Sequence, residues 1–258
     1  YGPAVMCLDD KGVRDLIPEL SRQVVTYGRH ADADYRLDNY RSEGLRSHFE
    51  LIRPHNAAPL ALTVNMPGLH NAQNAAGASA VCAELGISED AIVKGLAEFG
   101  GVGRRFSDLG DVRWSAGSAR LIDDYGHHPT EVDVTLQAAR DAFHDQRVVM
   151  VYQPHRFTRT RDHFDEFVSV LGEAQFLILL DVYPAGESPI EGADAQSLAR
   201  AIRARGVLEP LVVSDQQQLA AVLAGVLCDG DILLMQGAGD IGRLSAVLAD
   251  SDSLEALQ

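Results

Sequence analysis

Two carboxylates and two imidazoles are crowded into the segment Asp123-Asp124-Tyr125-Gly126-His127-His128-Pro129. The apolar run before it ends at Ile122, and a proline can open a helix, so the segment is predicted to link a strand to a helix. In open α/β sheets, ligands bind in the crevice beyond the carboxyl ends of the strands. The segment is therefore a candidate site. The alternative is a strand exit with an aspartate helix cap and solvated histidines.

Arginines stand in two further clusters. Gly103-Arg104-Arg105-Phe106 lies at a predicted glycine-rich hinge, so either arginine could reach a phosphate held between two domains. Residues 154–161 follow an apolar run at 148–152, and Arg156 and Arg159 suit bidentate capture of a carboxylate. Exposed arginines without a ligand are the alternative. The formal net charge of −15 favours anion binding, because so acidic a chain must concentrate positive charge where it recruits an anion.

Two asparagines, Asn71 and Asn74, lie three residues apart at the predicted start of a helix rich in small residues. Two amides on one helical face can bracket a planar, hydrogen-bonding ligand such as a nucleotide base. On spacing alone, an equal alternative is that Asn71 caps a helix that packs closely through its alanines.

Other patterns carry weaker signals. The loop from Gly237 to Gly242 has glycines like those of a dinucleotide fingerprint, but it follows the last predicted strand rather than the first, so NAD is not expected. His127 and His128 are adjacent, and no H-E-x-x-H pattern or cysteine partner exists, so zinc receives little weight and no metal ligand is assigned in this chain.

The order of the predicted strands and helices that position these groups indicates two α/β domains, 1–106 and 107–258. In the second, continuous apolar runs alternate with amphipathic segments of helical length, which predicts a Rossmann-like fold with a mainly parallel sheet. The first shows a mixed α/β pattern that ends in helices at 70–85 and 89–98. The strands of the second domain are predicted at 119–122, 148–152, 176–180, 211–213 and 232–235, and its helices at 129–143, 161–171, 195–205 and 216–227.

Composition excludes several classes of protein. With 46% hydrophobic and 23% charged residues, the 258-residue chain falls in the soluble globular class. Its negative charge argues against binding to a nucleic-acid backbone. No apolar run approaches the roughly 18 residues of a membrane span, so we expect a cytoplasmic protein that binds neither nucleic acid nor membrane. The sequence does not determine an oligomeric state.

Four motifs, in this order along the chain, resemble those of the Mur ligases, and among them the branch that adds L-alanine to UDP-N-acetylmuramate. The resemblance implies an ADP-forming ligation, in which ATP phosphorylates the lactyl carboxylate of UDP-N-acetylmuramate and the amine of L-alanine attacks the acyl phosphate. Mg²⁺ would offset phosphate charge. The activity would serve peptidoglycan precursor synthesis, and with it cell-wall formation, cell shape and division. The motifs are His70-Asn71-Ala72-Gln73-Asn74, Gly103-Arg104-Arg105-Phe106, residues 123–129, and His155-Arg156-Phe157-Thr158-Arg159-Thr160-Arg161.

The resemblance also implies roles for eight residues, none of them catalytic. Two alternatives remain: the related ligase that attaches whole peptides to UDP-N-acetylmuramate during recycling, and a non-catalytic module that binds nucleotide or amino acid. The implied contacts are Asn71, Asn74, Arg105 and Asp124 for ATP, and Tyr125, His127, Arg156 and Arg159 for L-alanine, with the arginines on its carboxylate.

One departure from the family is large. No G-x-x-G-K-[ST] phosphate loop occurs in the sequence, and the family's acidic and histidine Mg²⁺ ligands are expected upstream of it. We therefore expect the C-terminal portion of a ligase, inactive alone. It would comprise part of a central mixed α/β ATP-binding domain (1–106) and a complete C-terminal amino-acid-binding domain (107–258).

Overall fold

The computed structural model describes residues 2–55, 57–251 and 253–257, and the chain forms two compact units that divide after Gly101. The sequence placed this division after residue 106 instead. The segment before residue 107 belongs to the second unit because it is bonded there. Arg104 Nε donates to Asp123 Oδ2 at 3.0 Å, and the backbone N–H of Phe106 donates to Asp124 Oδ2 at 2.9 Å.

The first unit contains a five-stranded mixed sheet with the strands in chain order. The first three strands are parallel, and the last three form an antiparallel meander. Its strands are β1 (Ala4–Cys7), β2 (Val24–Gly28), β3 (Tyr35–Glu43), β4 (Arg46–Ile52) and β5 (Leu60–Val64), and its helices are α1 (Lys11–Leu16), α2 (Leu69–Glu84) and α3 (Glu89–Ala97).

Small residues allow α2 to lie close to this sheet. Ala72, Ala76 and Ala80 are completely buried in the core of the unit. A Cβ on Gly77 would lie only 2.8 Å from Cζ of Tyr27 on β2, which is closer than atoms pack in a protein interior. The run of alanines and glycine therefore has a packing role, as the alternative interpretation of this helix required.

The second unit is an α/β sheet of six strands in the order β10-β9-β8-β11-β7-β6, and all neighbouring pairs are parallel except β6 with β7. The predicted fold class, mixed α/β followed by a mainly parallel sheet, is confirmed. The strands are β6 (Ser107–Trp114), β7 (Gly117–Asp124), β8 (Val148–Tyr152), β9 (Phe176–Leu180), β10 (Leu211–Val213) and β11 (Ile232–Gln236), and the helices are α4 (Pro129–Ala142), α5 (Phe157–Asp162), α6 (Phe164–Leu171), α7 (Ala195–Ala204), α8 (Leu219–Val226) and α9 (Ile241–Asp250).

Helices cover both faces of this second sheet. α4, α6 and α7 pack side by side, whereas α8 and α9 bury the opposite face against inward residues of the strands such as Leu121, Val149 and Leu233. Neighbouring strand residues alternate between faces, so Ile122 and Met150 lie on the side of α4 and α6. Burial on both sides explains why the parallel strands are continuously apolar.

Two predictions for this unit were wrong in detail. The sequence predicted no strand before residue 119, yet β6 pairs with β7 as an antiparallel edge. The helix predicted at 161–171 is two helices, α5 and α6, separated at His163, where φ is −117° and ψ is 27°. In the described ranges, none of the helices combines the length and apolar character needed to cross a membrane.

Candidate functional site

Loops at the carboxyl ends of four adjacent strands meet at one edge of the second sheet. The strand pairing places Asp124, Gln236, Tyr152 and Leu179 side by side, at or next to the last residues of β7, β11, β8 and β9. The last strand, β11, is inserted between β7 and β8, and the helix that follows it, α9, lies on the opposite face of the sheet from α4 and α6, which follow β7 and β8. Such a switch point is where open α/β sheets form ligand crevices.

Asp124 is buried, and its carboxylate organises the loop after β7. Oδ1 accepts from the backbone N–H of Gly126 at 2.7 Å, the amide of Gln236 at 2.8 Å and the hydroxyl of Thr135 at 3.3 Å. Oδ2 accepts from the backbone N–H of Phe106. Four internal donors match the roughly four lone-pair sites of a carboxylate, so the group is fully used by the chain itself.

Asp123 holds Arg104 in place beneath the same loop. Besides the guanidinium, this buried carboxylate accepts from the hydroxyl of Ser245 at 3.0 Å. Arg104 Nη2 donates to the carbonyl of Gly237 at 2.7 Å, and the guanidinium carbon lies 5.1 Å from the ring centre of Tyr125. The first arginine of the pair is thus a structural link between the ends of β7 and β11.

Glu131 fixes the two histidines of the loop from the first turn of α4. Its Oε2 accepts from the backbone N–H groups of His127 and His128 at 2.9 and 3.1 Å, which closes a capping box. Its Oε1 accepts from Arg105 at 3.2 Å. Burial alone would raise the pKa of Glu131, but these backbone donors and Arg105 outweigh it and lower the pKa, so the carboxylate stays ionised.

A row of rings extends from the loop after β7 to the loop after β9. Tyr125 and His127 meet edge to face with ring centres 5.3 Å apart, and His127 lies 5.8 Å from His155. The ring of His155 stacks on Tyr183 at 5.5 Å with an interplanar angle of 13°. The backbone supports this row, because the N–H of Arg156 donates to the carbonyl of Tyr183 at 2.9 Å.

Cationic groups lie beside these rings. Arg159, on the first turns of α5, donates through Nη1 to Nδ1 of His155 at 3.0 Å. Burial and the positive charge of Arg159 lower the pKa of His155, which favours a neutral ring. Arg156 is half exposed, has a φ of +71°, and lies 3.6 Å from Oε1 of Glu187. A left-handed backbone at a non-glycine residue is costly and is concentrated at functional sites.

Glu187 ties the loop after β9 to the start of α5. Its two carboxylate oxygens accept from the backbone N–H of Thr158 at 3.0 Å and from the hydroxyl of the same residue at 2.7 Å. These bonds, with the charge of Arg156, lower the pKa of Glu187. The carboxylate therefore fixes the helix start from which both Arg156 and Arg159 project.

The two predicted asparagines belong to the first unit, on the first turns of α2. Asn71 is buried, and its Nδ2 donates to the carbonyl of Pro67 at 2.7 Å, so the chain itself uses one of the two amide N–H groups. Asn74 is exposed. Gly68 with a φ of 96°, rather than Asn71, occupies the cap position of the helix.

The structure brings Tyr125, His127 and Arg159 into one cluster through His155, and Arg105 joins it 5.7 Å from the Tyr125 ring. Sequence reasoning assigned no role to Glu131, His155, Tyr183 or Glu187. Glu131 holds the third helical position, where a capping box has its glutamate, but His128 replaces the serine or threonine that makes the pattern recognisable in a sequence. His155, Tyr183 and Glu187 follow predicted strands, and this position after a strand end is the one sequence signal that points to them.

Family models of known proteins match both units of the chain. A family model of the Mur ligase middle domain matches residues 1–82, and a model described as "Mur ligase, glutamate ligase domain" matches residues 104–239. The solved UDP-N-acetylmuramate-alanine ligase of Thermotoga maritima is 26% identical, with a TM-score of 0.71, over 88% of this chain and 47% of that chain.

Two further structures share the fold at lower identity. The murein peptide ligase of Psychrobacter arcticus is 20% identical with a TM-score of 0.62, over 96% of this chain and 52% of that one. The MurF ligase of Thermotoga maritima in complex with ADP is 15% identical with a TM-score of 0.68, over 100% and 55%. This chain spans about half the length of the solved relatives. It belongs to the Mur ligase family and comprises sequence of the middle and C-terminal domains.

Proposed function

We propose that this chain serves an ATP-dependent ligase that joins L-alanine to the lactyl carboxylate of UDP-N-acetylmuramate in peptidoglycan precursor synthesis, in the cytoplasm. The observation that carries the proposal is the cluster of Tyr125, His127 and Arg159 around His155 at the ends of β7 and β8, with Arg156 next to His155 in sequence. A free amino acid must be held by its carboxylate so that its amine reaches an activated acyl group. Two arginines beside a neutral imidazole are suited to that task.

The proposed binding mode follows from which cation is available. Arg159 is bonded to His155, whereas Arg156 is half exposed and its only partner at ion-pair distance among the described residues is Glu187, 3.6 Å away. An incoming carboxylate would pair directly with Arg156. It would also accept hydrogen bonds from those N–H groups of Arg159 that do not bond to His155. Tyr125 and His127, which belong to the loop after β7, would form the wall of the site on that side.

ATP contacts are proposed for Asn71, Asn74, Arg105 and Asp124. Asn74 is exposed and Arg105 half exposed, so both can reach a ligand. Asp124 already accepts four bonds, so it can receive a ribose hydroxyl only by exchanging one of them. Bound ATP would supply the phosphoryl group that activates the muramyl carboxylate. Mg²⁺ prefers oxygen ligands, and the described residues offer no oxygen-rich cluster for it, so no Mg²⁺ ligand is proposed here.

The substrate assignment is tested by ADP formation in the polypeptide that carries this sequence, with UDP-N-acetylmuramate and one of L-alanine, glycine, L-serine or a muropeptide as acceptor. We expect the highest kcat/KM with L-alanine. The missing methyl group of glycine is worth about 1–3 kcal/mol, or roughly 10- to 200-fold. Preference for the peptide would favour the recycling ligase instead, and ligand binding without ADP formation would favour a non-catalytic module.

A further inference from the structure

Three side chains with metal-binding atoms converge at the surface of the second unit. His128 lies at the start of α4, His163 lies in the break between α5 and α6, and Glu166 lies in the first turn of α6. Their candidate ligand atoms all lie within 4.8 Å of one another, and they form the only such group in the described part of the chain. The two imidazole centres are 4.6 Å apart, and His163 Nδ1 lies 2.8 Å from Glu166 Oε2.

We propose that His128, His163 and Glu166 form a binding site for a divalent transition metal of the zinc class. Two imidazoles and one carboxylate are a donor set that zinc accepts, with water in the fourth position. Mg²⁺ favours oxygen donors and is disfavoured here. Zinc bonds to nitrogen of about 2.0–2.1 Å set tetrahedral ligand atoms roughly 3.3 Å apart, so side-chain movements of about an ångström complete the site.

The three side chains are free to make these movements. Glu166 is 61% exposed and His163 33% exposed, so an ion reaches them directly from solvent. Among the described residues, the ring of His128 makes one hydrogen bond, a long one of 3.3 Å that Nδ1 accepts from the backbone N–H of Thr130, and it meets the ring of His163 edge to face. If a metal displaces that bond, α4 still keeps its start, because Glu131 accepts from the backbone N–H groups of both histidines.

A metal here would join the two segments that carry the candidate amino-acid site. His128 follows His127 directly, and the backbone N–H of His163 donates to the carbonyl of Arg159 at 3.1 Å. On sequence alone zinc has little weight, because His127 and His128 are adjacent and no H-E-x-x-H pattern or cysteine partner exists. The fold supplies the missing ligands from the helix break after α5, where His163 is followed three residues later by Glu166.

The test is a calorimetric titration of chelator-stripped protein with Zn²⁺, beside the variants His163→Ala and Glu166→Gln. We expect one ion per chain in the wild type and a dissociation constant raised by roughly 10- to 100-fold or more in either variant, since even loss of an outer-shell partner costs that much. His144→Ala is the matched control, because His144 also pairs with a carboxylate, Asp145, at 3.0 Å and is exposed in the same unit.

A second readout separates this site from other histidines. Bound Co²⁺ should give a visible absorption band, and added Zn²⁺ should remove the band by displacing the Co²⁺. The band should be absent in Glu166→Gln. Circular dichroism can verify that this surface variant is folded. Excess Mg²⁺ should not compete. The proposal is overturned if both variants keep wild-type Zn²⁺ affinity, or if His127→Ala abolishes binding while His163→Ala does not. Neither result bears on ligase activity.

Discussion

Arg159 donates to Nδ1 of His155 at 3.0 Å, and the same Nη1 reaches the carbonyl of His155 at 3.1 Å. A guanidinium has donors only, so Nδ1 of His155 must accept, and the ring proton is assigned to Nε2. Burial and the charge of Arg159 lower the pKa of this histidine in the same sense. The pair therefore joins a fixed cation to a neutral ring on the surface proposed to bind the amino acid.

The lowered pKa of His155 predicts a specific loss of stability in mild acid. An unfolded histidine has a pKa of about 6.5. Below that pH the unfolded chain takes up a proton that the folded chain refuses, so stability falls until the lower folded pKa is passed. His155→Gln should lose less stability than wild type when urea unfolding is compared at about pH 7.5 and pH 5.5. His144→Gln serves as the control, and identical pH responses of wild type and His155→Gln would contradict the assignment.

Asp124 should be among the most sensitive positions of the second unit. Asp124→Ala leaves buried donors of Phe106, Gly126 and Gln236 without an acceptor, and each buried unpaired group costs about 1–3 kcal/mol. We expect a loss of about 3 kcal/mol or more in the free energy of unfolding, measured in urea. The exposed Asp133 on α4 is the control, and Asp133→Ala should change stability by less than about 0.5 kcal/mol. Equal effects of the two would refute this account of Asp124.

Gly237 is required by the close approach of the loop after β11 to the loop after β8. Its φ is +152°, and a Cβ there would lie 2.7 Å from the backbone oxygen of Gln153. Gly237→Ala should cost about 2 kcal/mol or more, since backbone strain alone costs about 1–3 kcal/mol. Gly225 in α8 has open space around it, and Gly225→Ala should be neutral or stabilise by roughly 0.5–1 kcal/mol. Thermal unfolding of both variants measures the contrast, and a tolerated Gly237→Ala would be inconsistent with the observed packing.

Buried parallel strands were the part of the fold that the sequence predicted well. The bounds of β8, β9 and β10 agree with the predicted runs, because strands covered on both faces must be continuously apolar. The edge strand β6 was missed because only Val112 and Trp114 of its residues are buried, and Gly110 with charged neighbours hides the pattern. The break between α5 and α6 at His163 was missed because no proline or glycine, the usual sequence signals of a helix end, lies there.

The candidate site was predictable as residue types at strand ends, but not as contacts. Asp123 and Asp124 follow a predicted strand, which marked them, yet nothing local reveals that Ser245 and Gln236 from the end of the chain bond to them. These partners are more than a hundred residues away in sequence, and only the insertion of β11 beside β7 brings them close. The spacing of residues in the sequence therefore identifies candidate site groups. The topology of the sheet determines which of these groups already make hydrogen bonds within the chain.

The central claim is that the loop after β8 holds the carboxylate of the amino-acid substrate, and Arg156→Ala tests it most directly. Arg156 is half exposed and keeps no bond to His155, so its loss removes charge with little structural damage. We predict that the KM for L-alanine rises roughly 10- to 100-fold, the equivalent of a charged hydrogen bond of about 1.5–3 kcal/mol, while the KM for ATP stays within about twofold. Arg205→Ala at the exposed end of α7 should change neither value. An unchanged KM for L-alanine in Arg156→Ala, with the protein folded, would contradict the claim.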